Sequence, residues 1–131
     1  MKANIKFVTE KFNVFNRQIF ANELPMLPIR IGHARTSLGG LACNKKTNLF
    51  GKTQYYNFRM IISDSIDLPQ EELEDIIIHE MIHYFIAHKQ IQDTSAHGKL
   101  FMKMMNDINK RFGRHICVSR RQTASELDTI Y

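Results

Sequence analysis

The chain has 131 residues, of which 44% are hydrophobic and 24% charged, a balance that suits one compact domain and excludes a fibre or a disordered chain. The longest nearly apolar run, residues 76–86, contains three polar residues and is far shorter than the ~20 residues that cross a bilayer, so we expect no membrane segment. The amino terminus has no signal-peptide pattern, and Cys43 and Cys117 form no CxxC pair. These features predict a reduced, cytoplasmic protein.

Charge is distributed unevenly along the chain, although the net value is only +5. Residues 1–60 carry ten basic and two acidic side chains. Residues 61–80 carry seven acidic side chains and no basic ones, and residues 81–131 carry eight basic and four acidic ones. A basic surface outside the acidic block makes DNA a candidate partner.

The first predicted element is a helix with one apolar stripe, which ends before Asn22 and Pro25. Its stripe consists of Ile5, Val8, Phe12, Phe15 and Ile19. Three short strands are expected next, around Ile29 and Ile31 and over residues 41–44 and 56–62. Gly39 and Gly40 are interpreted as a turn or a bulge. A small sheet of about three strands follows from this pattern.

A second helix is expected from a cap at Asp67 to about His88. The carboxylates near its start complement the helix dipole: Glu71, Glu72, Glu74 and Asp75. Residues 76–86 are apolar on nearly every side, which predicts a buried, central helix.

A third helix, with another apolar stripe, is expected from a cap at Thr94 or Ser95 to Gly113. Neither repeats nor linkers divide the chain, so we predict a single domain over residues 1–131, with a core at about 4–112 and a basic tail at about 113–131. The tail and the end of the third helix form an acid-free basic stretch that is as consistent with phosphate contact as with a solvated end: Lys110, Arg111, Arg114, Arg120 and Arg121.

The second helix contains the pattern HExxH, formed by His79, Glu80 and His83. Residues four apart on a helix lie about 40° apart around its axis, with Cβ atoms roughly 5 to 6 Å apart, so both imidazoles can bind one metal ion. Histidines also occur in ordinary cores, but two unpaired imidazoles and a carboxylate on a buried helix would each cost about 1 to 3 kcal/mol. The pattern therefore predicts a Zn²⁺ site, with Glu80 as the general base.

A catalytic zinc site needs a third protein ligand. The candidates are His88, Asp93, His97 and His115. His88 lies about 140° around the helix from His83 and points away. We favour His97, because the first turn of the third helix would keep its ring neutral and Gly98 leaves space beside it. Asp93 would give a His-His-Asp site, but a loop position suits a residue that supports a ligand.

The residues that carry this chemistry also carry a family resemblance. IIHEMIHY at residues 77–84, followed by HGKLF at residues 97–101, resembles the SprT-like family. The resemblance extends to FNVFN at 12–16 with Leu24 and Pro25, to the glycine pair at 39–40 and to the strand at 59–63, and it covers about residues 8–112. One departure is that only Cys117 follows the third helix, so the four-cysteine zinc ribbon of many family members is missing.

This resemblance implies a minimal zincin-like metalloprotease domain of the α+β class. In such a domain an N-terminal helix and a small sheet precede the HExxH helix, and a following helix carries the third ligand. It also implies three zinc ligands, His79, His83 and His97, together with a catalytic Glu80 and endopeptidase chemistry linked to proteins bound to DNA.

The function predicted from the sequence is hydrolysis of peptide bonds in a protein or peptide substrate by water that zinc and Glu80 activate. An edge strand at residues 58–62 is expected to hold the extended substrate. The alternative is a DNA-associated binding module with a structural zinc and no activity, but a structural site needs no base. Lys52, Tyr55, Tyr56, Phe58 and Arg59 interleave charges and aromatic rings as single-strand binders do, although aromatic residues are also common in strands.

Overall fold

A computed structural model describes residues 1–121 and 128–130 and has the predicted α+β architecture. The elements are α1 (Ile5–Gln18), β1 (Ile29–Gly32), β2 (Gly39–Thr47), β3 (Thr53–Ser63), α2 (Gln70–His88), α3 (Lys99–Phe112), β4 (Ser119–Arg121) and β5 (Asp128–Ile130). Strands β4 and β5 pair with each other in an antiparallel ribbon. Within the described residues, no helix has the length and apolar character that crossing a bilayer requires.

The main sheet has three strands in the order β1-β3-β2, so β3 is central. Strand β1 pairs with β3 in parallel, with Ile29 opposite Met60, and β2 pairs with β3 antiparallel, with Gly39 opposite Ile62. The expectation that residues 58–62 form an edge strand is therefore wrong, because residues 59–62 pair with β2 and residues 60–63 with β1. The edge strand that lies closest to the HExxH helix is β2.

The glycine pair is part of a strand and not of a turn. Gly39 and Gly40 pair in register with β3, and the irregularity of the sheet lies further on, between Ala42 and Asn44. A Cβ atom on Gly39 would lie only 3.0 Å from the Cγ2 atom of Ile76 on α2. The glycine is thus explained by the close approach of the sheet to the helix, which the local sequence does not reveal.

Helix α2 runs through the centre of the hydrophobic core, as predicted. Its fully buried side chains contact α1 on one side, β2 and β3 on another, and α3 on a third. The most deeply buried apolar residues of α2 are Leu73, Ile76, Ile77, Ile78, Met81 and Ile82. A helix that is covered on every side has no polar face, so any polar residue on it requires a specific partner.

Helix α1 packs on α2 through Val8, Phe12 and Phe15, which belong to the predicted stripe. Its cap is Asn4, whose Oδ1 atom accepts a hydrogen bond from the amide of Phe7 at 2.8 Å. At the other end of α1, the buried side chain of Asn16 donates a hydrogen bond to the carbonyl of Leu24 at 2.8 Å and accepts one from its amide at 3.1 Å. This pair of bonds fixes the connection toward the sheet.

The start of α2 differs from the prediction. The N-cap residue is Pro69, which makes no side-chain capping bond, so Asp67 is not the cap. Glu71 and Glu72 lie in the first turn as expected, but Glu74 and Asp75 are buried and bind the side chain of Arg114. Arg114 is therefore occupied within the fold and is not a free phosphate contact.

The packed part of the protein continues past α3. Gly113 ends that helix in the left-handed conformation (φ 63°), as its identity predicted. Ile116, in the segment expected to be a tail, is buried in the core. The side chains of Arg120 and Arg121 lie outside the described residues.

Candidate metal centre

The structure brings three of the predicted site residues together. His79 and His83 project from one side of α2, and His97 approaches from the loop between α2 and α3. Their Nε2 atoms form a triangle with sides of 3.2, 3.2 and 3.2 Å. Three nitrogen ligands at about 2.0 to 2.1 Å from one tetrahedral ion lie about 3.3 Å apart. The imidazole cluster therefore fits a metal ion.

His97 is held by the loop and not by the first turn of α3, where the sequence placed it. The N-cap of α3 is Gly98, so His97 lies one residue outside the helix. A Cβ atom on Gly98 would lie 2.3 Å from the Oγ1 atom of Thr94 and 2.5 Å from the Oδ1 atom of Asp93. Only glycine permits this tight turn, which carries His97 back toward α2.

Asp93 has a different role from the one expected of it. Its carboxylate accepts hydrogen bonds from the amides of Thr94, Leu100 and Phe101, at 2.8, 3.1 and 2.9 Å. The bond from the Phe101 amide is the main reason that the pKa of Asp93 is lowered. Asp93 thus caps α3 from a distance and supports the loop, instead of binding the ring of a histidine.

The other two histidine candidates do not join the cluster. The ring of His88 packs against Phe58 and Tyr84, with centroid distances of 6.3 and 5.7 Å. His115 is exposed beyond the end of α3. Among the described residues, the group of His79, His83 and His97 is the one whose ligand atoms converge within 4.8 Å.

A buried phenylalanine supports all three rings. Phe101 is fully buried on α3, and its ring centroid lies 4.8 Å from that of His79, 4.6 Å from that of His83 and 4.8 Å from that of His97. From the sequence, Phe101 was known only as the last residue of the HGKLF motif, in a helix with an apolar stripe. Its spacing from His97 within HGKLF was the available indication of a second role.

The backbone carbonyl of Cys117 fixes the tautomer of His79. The Nδ1 atom of His79 lies 3.0 Å from this oxygen, and since a carbonyl only accepts, Nδ1 carries the proton. Nε2 therefore presents its lone pair to the centre of the cluster. No feature of the sequence indicated this contact, because it depends on the backbone at a position 38 residues away.

Burial and neighbouring charges keep the rings of His79 and His83 in the neutral form that binds metal. Burial, together with the charges of His83 and His97, lowers the pKa of His79 to about 3. Burial and the charge of His97 lower the pKa of His83 to about 4. At neutral pH both imidazoles are therefore unprotonated and available as ligands.

Glu80 lies beside the cluster in the interior of the protein. Its side chain is 1% exposed, and burial raises its pKa to about 8. Its Oε2 atom is buried and makes no hydrogen bond with the described residues. Gly39 of β2 lies against this oxygen, since a Cβ atom there would be 2.9 Å away. A buried carboxylate oxygen without a partner is costly for folding and is typical of a functional group.

A cleft reaches the cluster from the surface. It has a volume of about 230 Å³, and its lining includes His83, Tyr55 and the loop residues Gln92 and Ala96. The side chain of Gln90 closes the nearby edge of β3, since it binds the amide and the carbonyl of Tyr55, each at 2.8 Å. This cleft therefore gives access to His83 between β3 and the loop that carries His97.

The α+β fold, with its HExxH helix and converging imidazoles, is compatible with a zincin-like site. A family model described as the SprT-like family matches residues 8–122, which is most of the chain. The protein thus belongs to the SprT-like family, as the motifs indicated.

The chain is also similar in sequence to a protein with a named activity. Over 52 residues the chain is 42% identical to the DNA-dependent metalloprotease SPRTN of Xenopus tropicalis. The aligned region is 38% of this chain and 12% of that relative, so most of the relative has no counterpart in the match.

Proposed function

We propose that this protein is a zinc-dependent metalloprotease in which His79, His83 and His97 hold the ion and Glu80 is the general base. The observation that carries the proposal is the triangle of Nε2 atoms together with the buried Glu80, whose Oε2 atom has no hydrogen-bond partner among the described residues. Three imidazoles are one of the donor sets of catalytic zinc sites, and they leave one position for the reaction.

An ion held by these three imidazoles would supply Lewis-acid chemistry, which polarises a peptide carbonyl and makes a water molecule more acidic. Glu80 would take a proton from that water through its Oε2 atom as the water oxygen bonds to the peptide carbon, and would donate the proton to the amine nitrogen as the C–N bond breaks. Burial raises the pKa of Glu80 in the absence of a cation, and a cation held by the neighbouring imidazoles would favour the ionised carboxylate that a general base requires. Cys117 keeps His79 in the productive tautomer throughout.

We propose that an extended substrate peptide binds along β2. This strand forms the edge of the three-stranded sheet, and its first residue, Gly39, lies against Glu80. An edge strand offers unpaired amide and carbonyl groups to an extended peptide, which then lies across the HExxH helix.

We further propose that the substrates are proteins associated with DNA. The similarity to a DNA-dependent metalloprotease supports this, although it covers a small part of that relative. The alternative, a binding module with a structural zinc, leaves Glu80 unexplained, because a structural site gains nothing from a buried carboxylate with one oxygen unpartnered in the described part of the chain. The cytoplasmic location and the single domain over residues 1–131 stay predictions.

The test compares zinc-loaded wild type with Glu80→Gln and with the control Glu71→Gln, which alters an exposed carboxylate at the start of the same helix. The substrate is a basic DNA-binding protein, with and without single-stranded DNA. We expect Glu80→Gln to bind zinc and to lose at least about a hundredfold in rate, as loss of a general base predicts. Glu71→Gln should cleave normally. If none of the three proteins cleaves the substrate at full zinc occupancy, the alternative of a binding module is favoured.

A further inference from the structure

The turn that joins β2 to β3 presents two large apolar side chains to water. This hairpin tip, residues 48–52, is well built: Asn48 Oδ1 accepts hydrogen bonds from the amides of Phe50 and Lys52 at 2.9 and 3.0 Å, and Gly51 has φ 79°. Leu49 and Phe50 nevertheless have relative exposures of 101% and 94%. They contribute nothing to the core, so an ordered turn holds them outward for another reason.

Cationic side chains surround the tip, and no acidic residue occurs between Glu23 and Asp64. The whole three-stranded sheet therefore lacks a carboxylate side chain. Lys45, Lys46 and Lys52 are exposed on the hairpin. The charge of this surface therefore complements an anionic partner.

Aromatic and polar groups continue along the strands, away from the tip. The outer hairpin face is formed by alternating exposed residues of the two paired strands: Asn44, Lys46, Gln54 and Tyr56. The Nζ atom of Lys46 lies 5.9 Å from the centre of the Tyr56 ring, and Arg59 donates a hydrogen bond to Asn44 at 2.9 Å. Cations thus lie beside an accessible aromatic ring along a strip of the sheet.

We propose that the β2–β3 hairpin binds single-stranded DNA, with Phe50 and Tyr56 stacking on bases while Lys46 and Lys52 contact phosphates. An unpaired strand combines regularly spaced anions with accessible base faces, and a duplex offers only the anions. An anionic membrane would use Leu49 and Phe50, but a planar surface touching the tip leaves the outer hairpin face without a function. A flexible strand can follow that face.

This surface lies beside the metal centre without being part of it. A concave region of about 750 Å³ extends from Lys46 and Lys52 to Gln90 and Gln92, which lie between α2 and His97. Gln92 also lines the cleft at His83, so the concave region adjoins that cleft. DNA on the hairpin would therefore keep proteins bound to it near the cleft. This role rests on the proposed protease function.

Binding of a fluorescent oligo-dT strand to the zinc-loaded chain tests the proposal. We expect Phe50→Ala and Tyr56→Ala each to weaken binding by roughly tenfold, as loss of a stacked base does. Lys46→Gln and Lys52→Gln should each weaken it severalfold and reduce the slope of log K against log salt concentration by about one. The controls Met26→Ala and Lys103→Gln alter exposed residues elsewhere and should bind like wild type.

Equal affinity of wild type and Phe50→Ala for oligo-dT would overturn the proposal, as would equal binding of a duplex of the same length. Binding of phosphatidylserine vesicles that requires Phe50, without binding of oligo-dT, would assign the tip to membranes instead. Matching melting temperatures and zinc contents exclude misfolding. Cleavage of an unfolded protein without DNA is measured in parallel. Absence of this cleavage would count against the proposed protease function and would not affect the DNA-binding result for the hairpin.

Discussion

At the scale of single residues, Glu80 is the clearest case of a side chain that is unfavourable for folding. It is buried with one oxygen unpartnered among the described residues, and burial raises its pKa from 4.5 to about 8. In the unfolded chain the same carboxyl is expected near its ordinary value. Such a difference in pKa makes stability depend on pH in a definite direction.

We predict that metal-free Glu80→Gln is more stable than metal-free wild type, by a margin that grows as pH rises. Between about pH 4.5 and 8 the folded wild type holds a proton that the unfolded chain releases, so the folded state loses stability as pH increases through this window. Glutamine has no proton to lose. Urea unfolding at pH 6 and pH 8 should show the gap widening, on the order of a few kcal/mol at most.

All other side chains are the same in both proteins, so the comparison isolates position 80. A gap that stays constant with pH would show that Glu80 is not the titrating group.

At the scale of elements, the contact between β2 and α2 determines where Glu80 lies. Gly39→Ala would place its Cβ atom 2.9 Å from the Oε2 atom of Glu80 and 3.0 Å from Ile76, closer than ordinary contacts allow. We predict a fall in kcat/KM of roughly tenfold or more, with little change in zinc affinity, because the base moves and the three imidazoles do not. Peptide hydrolysis and zinc competition with a chelator measure the two quantities.

The neighbouring glycine provides the control for this experiment. A Cβ atom on Gly40 meets nothing within 4 Å, so Gly40→Ala should retain full activity. If both alanine variants lose activity equally, general damage to the strand is the cause, and the close approach to Glu80 is not.

The segment after α3 supports the metal centre through a single asparagine. Asn109 binds the carbonyl and the amide of Ile116 at 2.9 and 2.8 Å, and this places the next carbonyl, that of Cys117, on His79. We predict that Asn109→Ala weakens zinc binding by roughly tenfold, since residues that orient a ligand contribute about that much. The exposed Asn106 on the same helix is a matched control for substitution by alanine.

Chelator competition measures the affinity, and the visible spectrum of the Co²⁺-loaded protein reports the ligand field. Loss of stability without a change in affinity or spectrum would make Asn109 a purely structural residue.

At the scale of the whole molecule, one arginine joins the chain beyond α3 to the start of α2. Arg114 donates to Glu74 at 2.9 Å and to Asp75 at 2.8 Å, and all three side chains are nearly buried. Burial raises the pKa of Asp75 even with this partner. Lys11 of α1 also pairs with Glu74, at 3.1 Å. The network thus connects α1, the start of α2 and the segment after α3.

We predict that Arg114→Met destabilises the protein by about 3 kcal/mol, because removal of one partner leaves buried carboxylates uncompensated. Arg111→Met, an exposed change three residues earlier, should cost less than about 0.5 kcal/mol. Urea unfolding at pH 7 of the zinc-loaded proteins compares the two. Similar losses in both variants would contradict a specific role for the buried network.

The sequence by itself determined the helices, the number of strands in the main sheet and the identity of the residues that converge. Apolar periodicity and the four-residue spacing of His79 and His83 are local properties, and a buried helix with HExxH has few other physical explanations. Sequence patterns predicted less where local rules competed with packing. Asp67 did not cap α2, and α3 begins after His97, where Asp93 and Thr94 bind its first amides.

Only the tertiary structure decided which strand forms the edge beside α2, what holds His79, and where the buried charges find partners. Each of these depends on groups brought together from distant parts of the chain: Gly39 with Glu80, the Cys117 carbonyl with His79, and Arg114 with Glu74 and Asp75. Side-chain patterns record whether a position is buried, but not which neighbour buries it. Strand order and backbone contacts are set by the packing of the whole core, so they become visible only in the folded molecule.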